Sequence, residues 1–239
     1  MAAKQDNSAQ IVQIKGRLSY PAFTHKEALA LNDRSDPQYK KSDPAEVKPT
    51  YSLLLTQTEW EKLKAHLVDV FLPWCVEQEK EKGRSGLTAA QAKKLTRIIE
   101  AEDWEVDKIP GFLRPVSEKS ADLAPECVVD LRVGGRKGRD IELKAVVKDV
   151  DALRNPYDED GDPLVISQRG AIFPIADTKI EMYPGAFVGT QLNLYAYLSA
   201  SEPRIIATGE TAIFLRDMDR FGGSGAPIDE DVFLDDDDD

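Results

Sequence analysis

Histidine, cysteine and long apolar runs are what this 239-residue chain has least of. Its two histidines, His25 and His66, lack the sequence partners that hydrolytic or metal chemistry requires. Its two cysteines, Cys75 and Cys127, stand far apart in apolar surroundings. They have neither zinc-site spacing nor a disulfide framework, so buried thiols in a reducing compartment are expected. No apolar run approaches the roughly 20 residues of a membrane span, and Met1 to Asn7 lacks the apolar core of a signal peptide. There is no Walker loop and no Gly-x-Gly-x-x-Gly. Asp158-Glu-Asp-Gly-Asp162 opens like a calcium loop, but Arg169 stands where the twelfth-position glutamate belongs, and a turn is expected there. The reading is of a soluble cytoplasmic protein with no cofactor, no metal and no membrane partner.

What abounds is acid, and it is concentrated at one end. Eight of the last eleven residues are acidic: Asp229, Glu230, Asp231, Asp235, Asp236, Asp237, Asp238 and Asp239, with Phe233 and Leu234 among them. Such a segment repels itself and buries too little apolar surface to fold, so a disordered tail is expected over 222–239, hinged at Gly222-Gly-Ser-Gly225. A concentrated polyanion competes for basic grooves on its own body or docks on a partner. With the tail acids set aside, the net charge rises from −12 to −4, which leaves the Lys and Arg of the body free to cluster.

Residues 11–20 alternate as a strand, with Val12, Ile14 and Leu18 on one face and Gln13, Lys15 and Arg17 on the other. Residues 24–49 read as a loop, and Tyr51 to Thr56 as a second strand. Thr58-Glu-Trp-Glu61 reads as a capping box, and Pro73 is expected to kink or break the helix behind it. Thr88-Ala-Ala-Gln91 caps another helix, so an insertion of helices is expected at about 58–101. From 126 onward the pattern is β. Residues 127–133 and 140–147 read as a hairpin around Gly134-Gly-Arg-Lys-Gly-Arg139, and 186–198 and 204–216 as two long strands. Strands without regular helices between them point to a mainly β fold with a helical insertion, an antiparallel barrel or sandwich.

The strand 186–198 carries the strongest functional signal. Val188, Leu192, Leu194, Ala196 and Leu198 form a core face, while Phe187, Gln191, Asn193, Tyr195 and Tyr197 share the other. Rings on a non-core face serve as stacking platforms for bases, worth roughly 1–3 kcal/mol each with little sequence preference. On the next strand Phe214 reads as facing out with Arg204 and Arg216. Arg132, Arg136, Lys137, Arg139, Lys144 and Lys148, with Lys15 and Arg17 on the first strand, supply cations for a phosphate backbone. A rival signal lies in the same stretch. Asp130 followed by Glu142-Leu-Lys144 has the spacing of a Mg²⁺-dependent nuclease core, although charged hairpins also produce it as cross-strand ion pairs. A third reading is an adaptor whose tail binds a basic partner and whose body binds no DNA.

Four segments in order carry a resemblance: Gly16-Arg-Leu-Ser-Tyr-Pro21; Tyr51-Ser-Leu-Leu-Leu-Thr56; Glu181-Met-Tyr-Pro-Gly-Ala-Phe-Val188 running into Asn193-Leu-Tyr-Ala-Tyr197; and Phe221-Gly-Gly before the aspartates. The chain resembles the tailed-phage single-stranded DNA-binding proteins, which are OB-fold proteins with an acidic C-terminal tail. The resemblance implies an OB barrel over 1–221 and stacking by Tyr195 and Tyr197. It also implies a tail that shields the groove and recruits replication or recombination proteins. Single-stranded DNA is then the expected ligand, the host-cell cytoplasm the expected location, a homodimer stays open, and no enzymatic activity is expected. One departure stands out. Many such tails end on an aromatic residue, whereas Asp239 closes this sequence and Phe233, beside Leu234, is the nearest ring.

Overall fold

The computed structural model describes residues 8–34, 37, 40–41, 43–80, 85–102, 112–199 and 202–221. The expected tail, 222–239, lies outside the described residues. Nine strands and five α-helices follow one another along the described chain: β1 (Ile11–Ala22), α1 (His25–Asp33), β2 (Thr50–Thr56), α2 (Gln57–Ala65), α3 (Leu72–Lys80), α4 (Ala89–Ala101), β3 (Leu113–Pro115), α5 (Glu118–Leu123), β4 (Cys127–Gly134), β5 (Glu142–Val147), β6 (Ala171–Pro174), β7 (Phe187–Ser199), β8 (Glu202–Thr208) and β9 (Thr211–Arg216).

Five strands close a barrel. β1 pairs with β2, β2 with β4, β4 meets β8 in parallel, β8 pairs with β7, and β7 returns to β1. Counting only these strands, the order is first, second, third, fifth, fourth and back to the first, which is that of an OB-fold barrel. Alternation fills its interior. Ile14, Leu18, Tyr51, Leu53, Leu131, Val133, Val188, Leu192, Leu194 and Ile205 are all buried in one cluster. The helices between β2 and β4 add Trp60, Leu63, Leu67 and Phe71 to that cluster, so they close the barrel rather than form a separate body.

β8 and β9 run in succession along β7, separated by a break at Gly209–Glu210. The break is a packing requirement. A Cβ on Gly209 would lie 2.8 Å from the Tyr51 hydroxyl and 2.9 Å from Val133. There Tyr51 donates to Thr190 Oγ1 at 2.8 Å, and Thr190 donates to the Thr211 carbonyl at 2.8 Å, so the buried hydroxyls are satisfied.

Several sequence expectations give way here. Residues 127–133 and 140–147 are strands but not a hairpin. β4 lies against β2, β3 and β8, while β5 lies between β9 and β6. β4 and β5 follow each other alongside β8 and β9, because alternation fixes a strand's faces and not its partners. Two of these contacts are parallel, β4 with β8 and β5 with β9, so the sheet is not wholly antiparallel. The stretch 24–49 contains α1, capped by Thr24, whose hydroxyl accepts from Glu27 N while Glu27 accepts from Thr24 N. α2 starts earlier than expected, because Thr56 rather than Thr58 is its cap. Of the kink or break expected at Pro73, the break does not occur. A π-helical turn over His66–Phe71 leads into α3, relieving the hydrogen bond that proline cannot make.

Candidate nucleic-acid interface

The expected site residues fall into three groups. On β7, Tyr195 and Tyr197 stand on the outward side at 39% and 41% exposure. β8 supplies their cross-strand neighbours: Ile206 opposite Tyr195 and Arg204 opposite Tyr197. Ile206 is itself exposed, so ring and aliphatic side chain form an uncovered apolar strip along a barrel strand. The inserted helices reach this edge through the Lys94–Glu202 ion pair without covering either ring.

On β4, the neighbour of β8, Arg132 is exposed and paired in register with Ser52 of β2. β3 brings in Arg114, opposite Asp130. Burial raises the Asp130 carboxyl above its usual range, against a hydrogen bond with Ser52 and the charges of Arg114 and Arg132. One Asp130 oxygen, Oδ1, is buried without a hydrogen-bond partner among the described residues. Crowding by protein and then the like charge of Arg114 press the Arg132 guanidinium downward, with Asp130 opposing. Arg114 lies opposite Asp130 in register and Arg132 follows two residues along β4, so two guanidinium charges lie near one partly buried carboxylate and leave a net positive region on these strands. Sequence reasoning missed Arg114, because the short strand that positions it has no alternation to read, and it missed Ile206 because an aliphatic residue alone signals nothing.

The remaining cations lie apart from these. Arg136 pairs with Glu210 and Lys137 with Glu46, while Arg139 and Lys148 are exposed. Lys15 and Lys144 share a cross-strand row through Gly189 and Ile213, on the half of β7 away from the tyrosines. Lys144 is held by Glu142 at 3.0 Å. Phe187 is half-buried, with the Arg216 guanidinium 4.8 Å above its ring.

Two expected site residues belong to the interior. Arg17 is 3% exposed. Its guanidinium donates to the carbonyls of Gly185, Leu123 and Asp219 and to Glu126, so it has no free face for phosphate. Phe214 is 4% exposed and packs 6.4 Å from Tyr183, because the Gly209–Glu210 break shifts the parity of β9 and turns Ala212 and Phe214 inward. The nuclease constellation is not assembled either. Asp130 faces β2 and β3, whereas Glu142 accepts from the Thr211 hydroxyl and pairs with Lys144 on β5, beside β9. Among the described residues no three His, Cys, Asp or Glu side chains gather as a metal site, and no helix is long and apolar enough to cross a membrane. The tail acids, Asp229, Glu230, Asp231 and Asp235 to Asp239, with Phe233, lie outside the described residues.

No family model matches the chain, and the comparison with curated proteins finds no match. Among solved structures, the chain is similar to the single-stranded DNA-binding protein from bacteriophage Enc34, at 14% identity over 97% of each chain with a TM-score of 0.45. The same phage protein in complex with single-stranded DNA aligns at 14% identity over 92% of this chain and 97% of that one, TM-score 0.47. It is also similar to gp2.5, a single-stranded DNA-binding protein of bacteriophage T7, at 13% identity over 96% and 95% of the two chains, TM-score 0.36. All three are structures of phage single-stranded DNA-binding proteins.

Proposed function

We propose that this chain is a non-enzymatic, sequence-tolerant single-stranded DNA-binding protein that coats and protects single strands in phage DNA replication and recombination. The observation that carries the reading is the uncovered pair Tyr195 and Tyr197 on an outer barrel strand, flanked by Ile206 and Arg204 and followed around the barrel by Arg132 and Arg114. Exposed rings stack on any base, and the neighbouring guanidinia hold phosphates without reading sequence. Exposed Arg139, Lys148 and Lys15 lie apart from this path and add to the positive field of the barrel as a whole, as do Arg136 and Lys137 once released from their carboxylates. The barrel ending at Phe221 is the binding unit. The segment 222–239 is the shielding and recruiting tail, with Phe233-Leu234 standing in for a terminal aromatic. The separation of Asp130 from Glu142 and Lys144 speaks against the nuclease reading.

The test is a gel shift with labelled single- and double-stranded DNA, with and without Mg²⁺, run beside a denaturing gel. A shift of the single strand without cleavage is expected. Cleavage that requires Mg²⁺ sinks the reading in favour of a nuclease, and absence of any shift sinks it in favour of an adaptor.

A further inference from the structure

We propose that Asp130 is a built-in counter-charge in the DNA path: ionised, it opposes phosphate at Arg114 and Arg132, and it takes up a proton when DNA binds. The proposal rests on the reading above and deepens it, because that reading gives the two arginines a role and Asp130 none.

Strand register places the three charges together. Val129, Leu131 and Val133 of β4 point into the barrel, so Asp130 and Arg132 share its outer side. In that row Asp130 lies between Leu54 of β2 and Arg114 of β3, and Arg132 stands two positions along. The Ser52 hydroxyl, from the residue opposite Arg132, donates to the Asp130 carboxylate. Leu54 is buried with Ala124 and Cys127, against Phe221, which closes that side of Asp130 with apolar protein. The next charge beyond Leu54 is Arg17 of β1, and it is taken up by Glu126 and three carbonyls.

Two cations beside one carboxylate ordinarily close on it as an ion pair. Here they do not. Among the described residues neither the Arg114 nor the Arg132 guanidinium makes a hydrogen bond or ion pair, whereas Arg17, Arg136, Lys137 and Lys144 each have a carboxylate partner. Asp130 Oδ1 in turn is buried without a donor among those residues. A buried ionised oxygen without a donor is costly, and a neutral acid largely escapes that cost. Both guanidinia stay open to phosphate as a result. A phosphate seated on them brings a second negative charge beside Asp130. Like charge disfavours the ionised form, so the carboxylate accepts a proton from solvent as the phosphate arrives. The sign of the pH dependence follows. The bound state holds more protons, so affinity rises as pH falls through the range in which Asp130 titrates, and levels off once it is neutral in both states. Burial places that range above the ordinary one for a carboxyl.

The test measures oligothymidylate affinity at fixed low salt, from about pH 4.5 to about pH 7.5, for the full chain, Asp130→Asn and Glu159→Gln. Asparagine keeps a partner for Ser52 and removes only the charge. Near neutral pH Asp130→Asn should bind about 3- to 10-fold more tightly, the scale of one like charge close to a phosphate. Parent and variant should converge as pH falls, and their salt slopes should match, because both arginines remain. Glu159, exposed in the turn after Asp158, controls for net charge, and its variant should bind within about twofold of the parent. Weaker or equal binding by Asp130→Asn overturns the proposal. So does a gain that persists at low pH, or an equal gain in Glu159→Gln. A second measurement does not depend on the variant folding. Calorimetry of the unaltered protein with oligothymidylate near about pH 5, in two buffers of unlike ionisation heat, should show net proton uptake. Binding without uptake overturns this proposal alone, whereas absence of binding at every pH overturns the underlying reading with it.

Discussion

The guanidinium of Arg17 lies 4.3 Å above the ring of Phe221, the last described residue of the chain. The same group bonds the carbonyls of Leu123, Gly185 and Asp219, so one buried cation ties β1, the end of α5, the turn before β7 and the segment after β9 into a single joint. Phe221 also packs against Leu54, Ala124 and Cys127 on the outer side of β2 and β4. Arg17 therefore fixes the position of Phe221 on the barrel.

Arg17→Met should cost about 3–5 kcal/mol, because it strands three carbonyls and one carboxylate without shortening the aliphatic stem. Arg17→Lys should also destabilise, since an ammonium cannot fork toward divergent acceptors. Urea unfolding measures both. At temperatures where the variants stay folded, the salt dependence of DNA binding should match the parent. A flattened salt slope would make Arg17 a phosphate contact despite its burial.

Tyr195→Ala with Tyr197→Ala should weaken single-strand binding by roughly 2–4 kcal/mol for two lost platforms. Melting should change little, because both side chains stand off the core. Fluorescence titration with oligothymidylate and a melting curve are sufficient. Unchanged affinity in the folded double variant would place the bases elsewhere on the barrel.

The sequence and structure agree where alternation is unbroken and part where long-range contacts decide. Val188, Leu192, Leu194 and Ala196 are buried and Tyr195 and Tyr197 exposed, as a period of two dictates, whereas Leu198, expected on the core face, is exposed near the end of β7. Phe214 follows the same logic only if the strand runs on from β8, and the Gly209–Glu210 break cancels that parity. Arg17 has the parity of a surface residue. Its burial depends on backbone carbonyls more than a hundred positions away, which no local pattern displays. α1 was visible in principle through Thr24 and Glu27, a capping box outweighed by the polar, proline-broken stretch behind it. Arg114 had no such signal.

The two arginines on β3 and β4 should dominate the salt dependence. Arg114→Ala and Arg132→Ala should each flatten the logarithmic salt slope for single strands by about 0.7, the value of one released phosphate contact. Arg136→Ala with Lys137→Ala should flatten it less, because each cation already serves a carboxylate, Glu210 and Glu46. The reverse ranking would move the phosphate path to the loop between β4 and β5.

Burial pushes the thiols of Cys75 and Cys127 up to about 12 from an ordinary 9.0. In the unfolded chain they ionise near the ordinary value. Their contribution to stability is therefore fully present below about pH 9 and is lost as pH rises toward 12, at about 1.4 kcal/mol per pH unit for each thiol. Thiol labelling near neutral pH should proceed only through global unfolding. Replacing both cysteines by alanine should reduce the alkaline loss of stability. Rapid labelling of the native protein, or an alkaline limb unaltered by the double substitution, would contradict this account.

Eighteen residues separate Gly222 from Asp239 inclusive, a length that spans up to about 60 Å when extended. A segment of that length, tethered at Phe221, would be long enough to span from Leu54 and Cys127 to Arg114, Arg132 and the tyrosines of β7. A tethered polyanion at that distance competes with DNA at high effective concentration. Deleting residues 229–239 should therefore tighten single-strand binding, most at low ionic strength, where charge competition is least screened. The deletion should also abolish capture of replication or recombination proteins. Restoring Phe233 and Leu234 without the flanking acids should restore neither effect if charge is the active property, and partner capture alone if the apolar pair is what partners read. Equal affinity of the truncated and full-length proteins at low salt would remove the shielding role and leave recruitment or solubility to the aspartates.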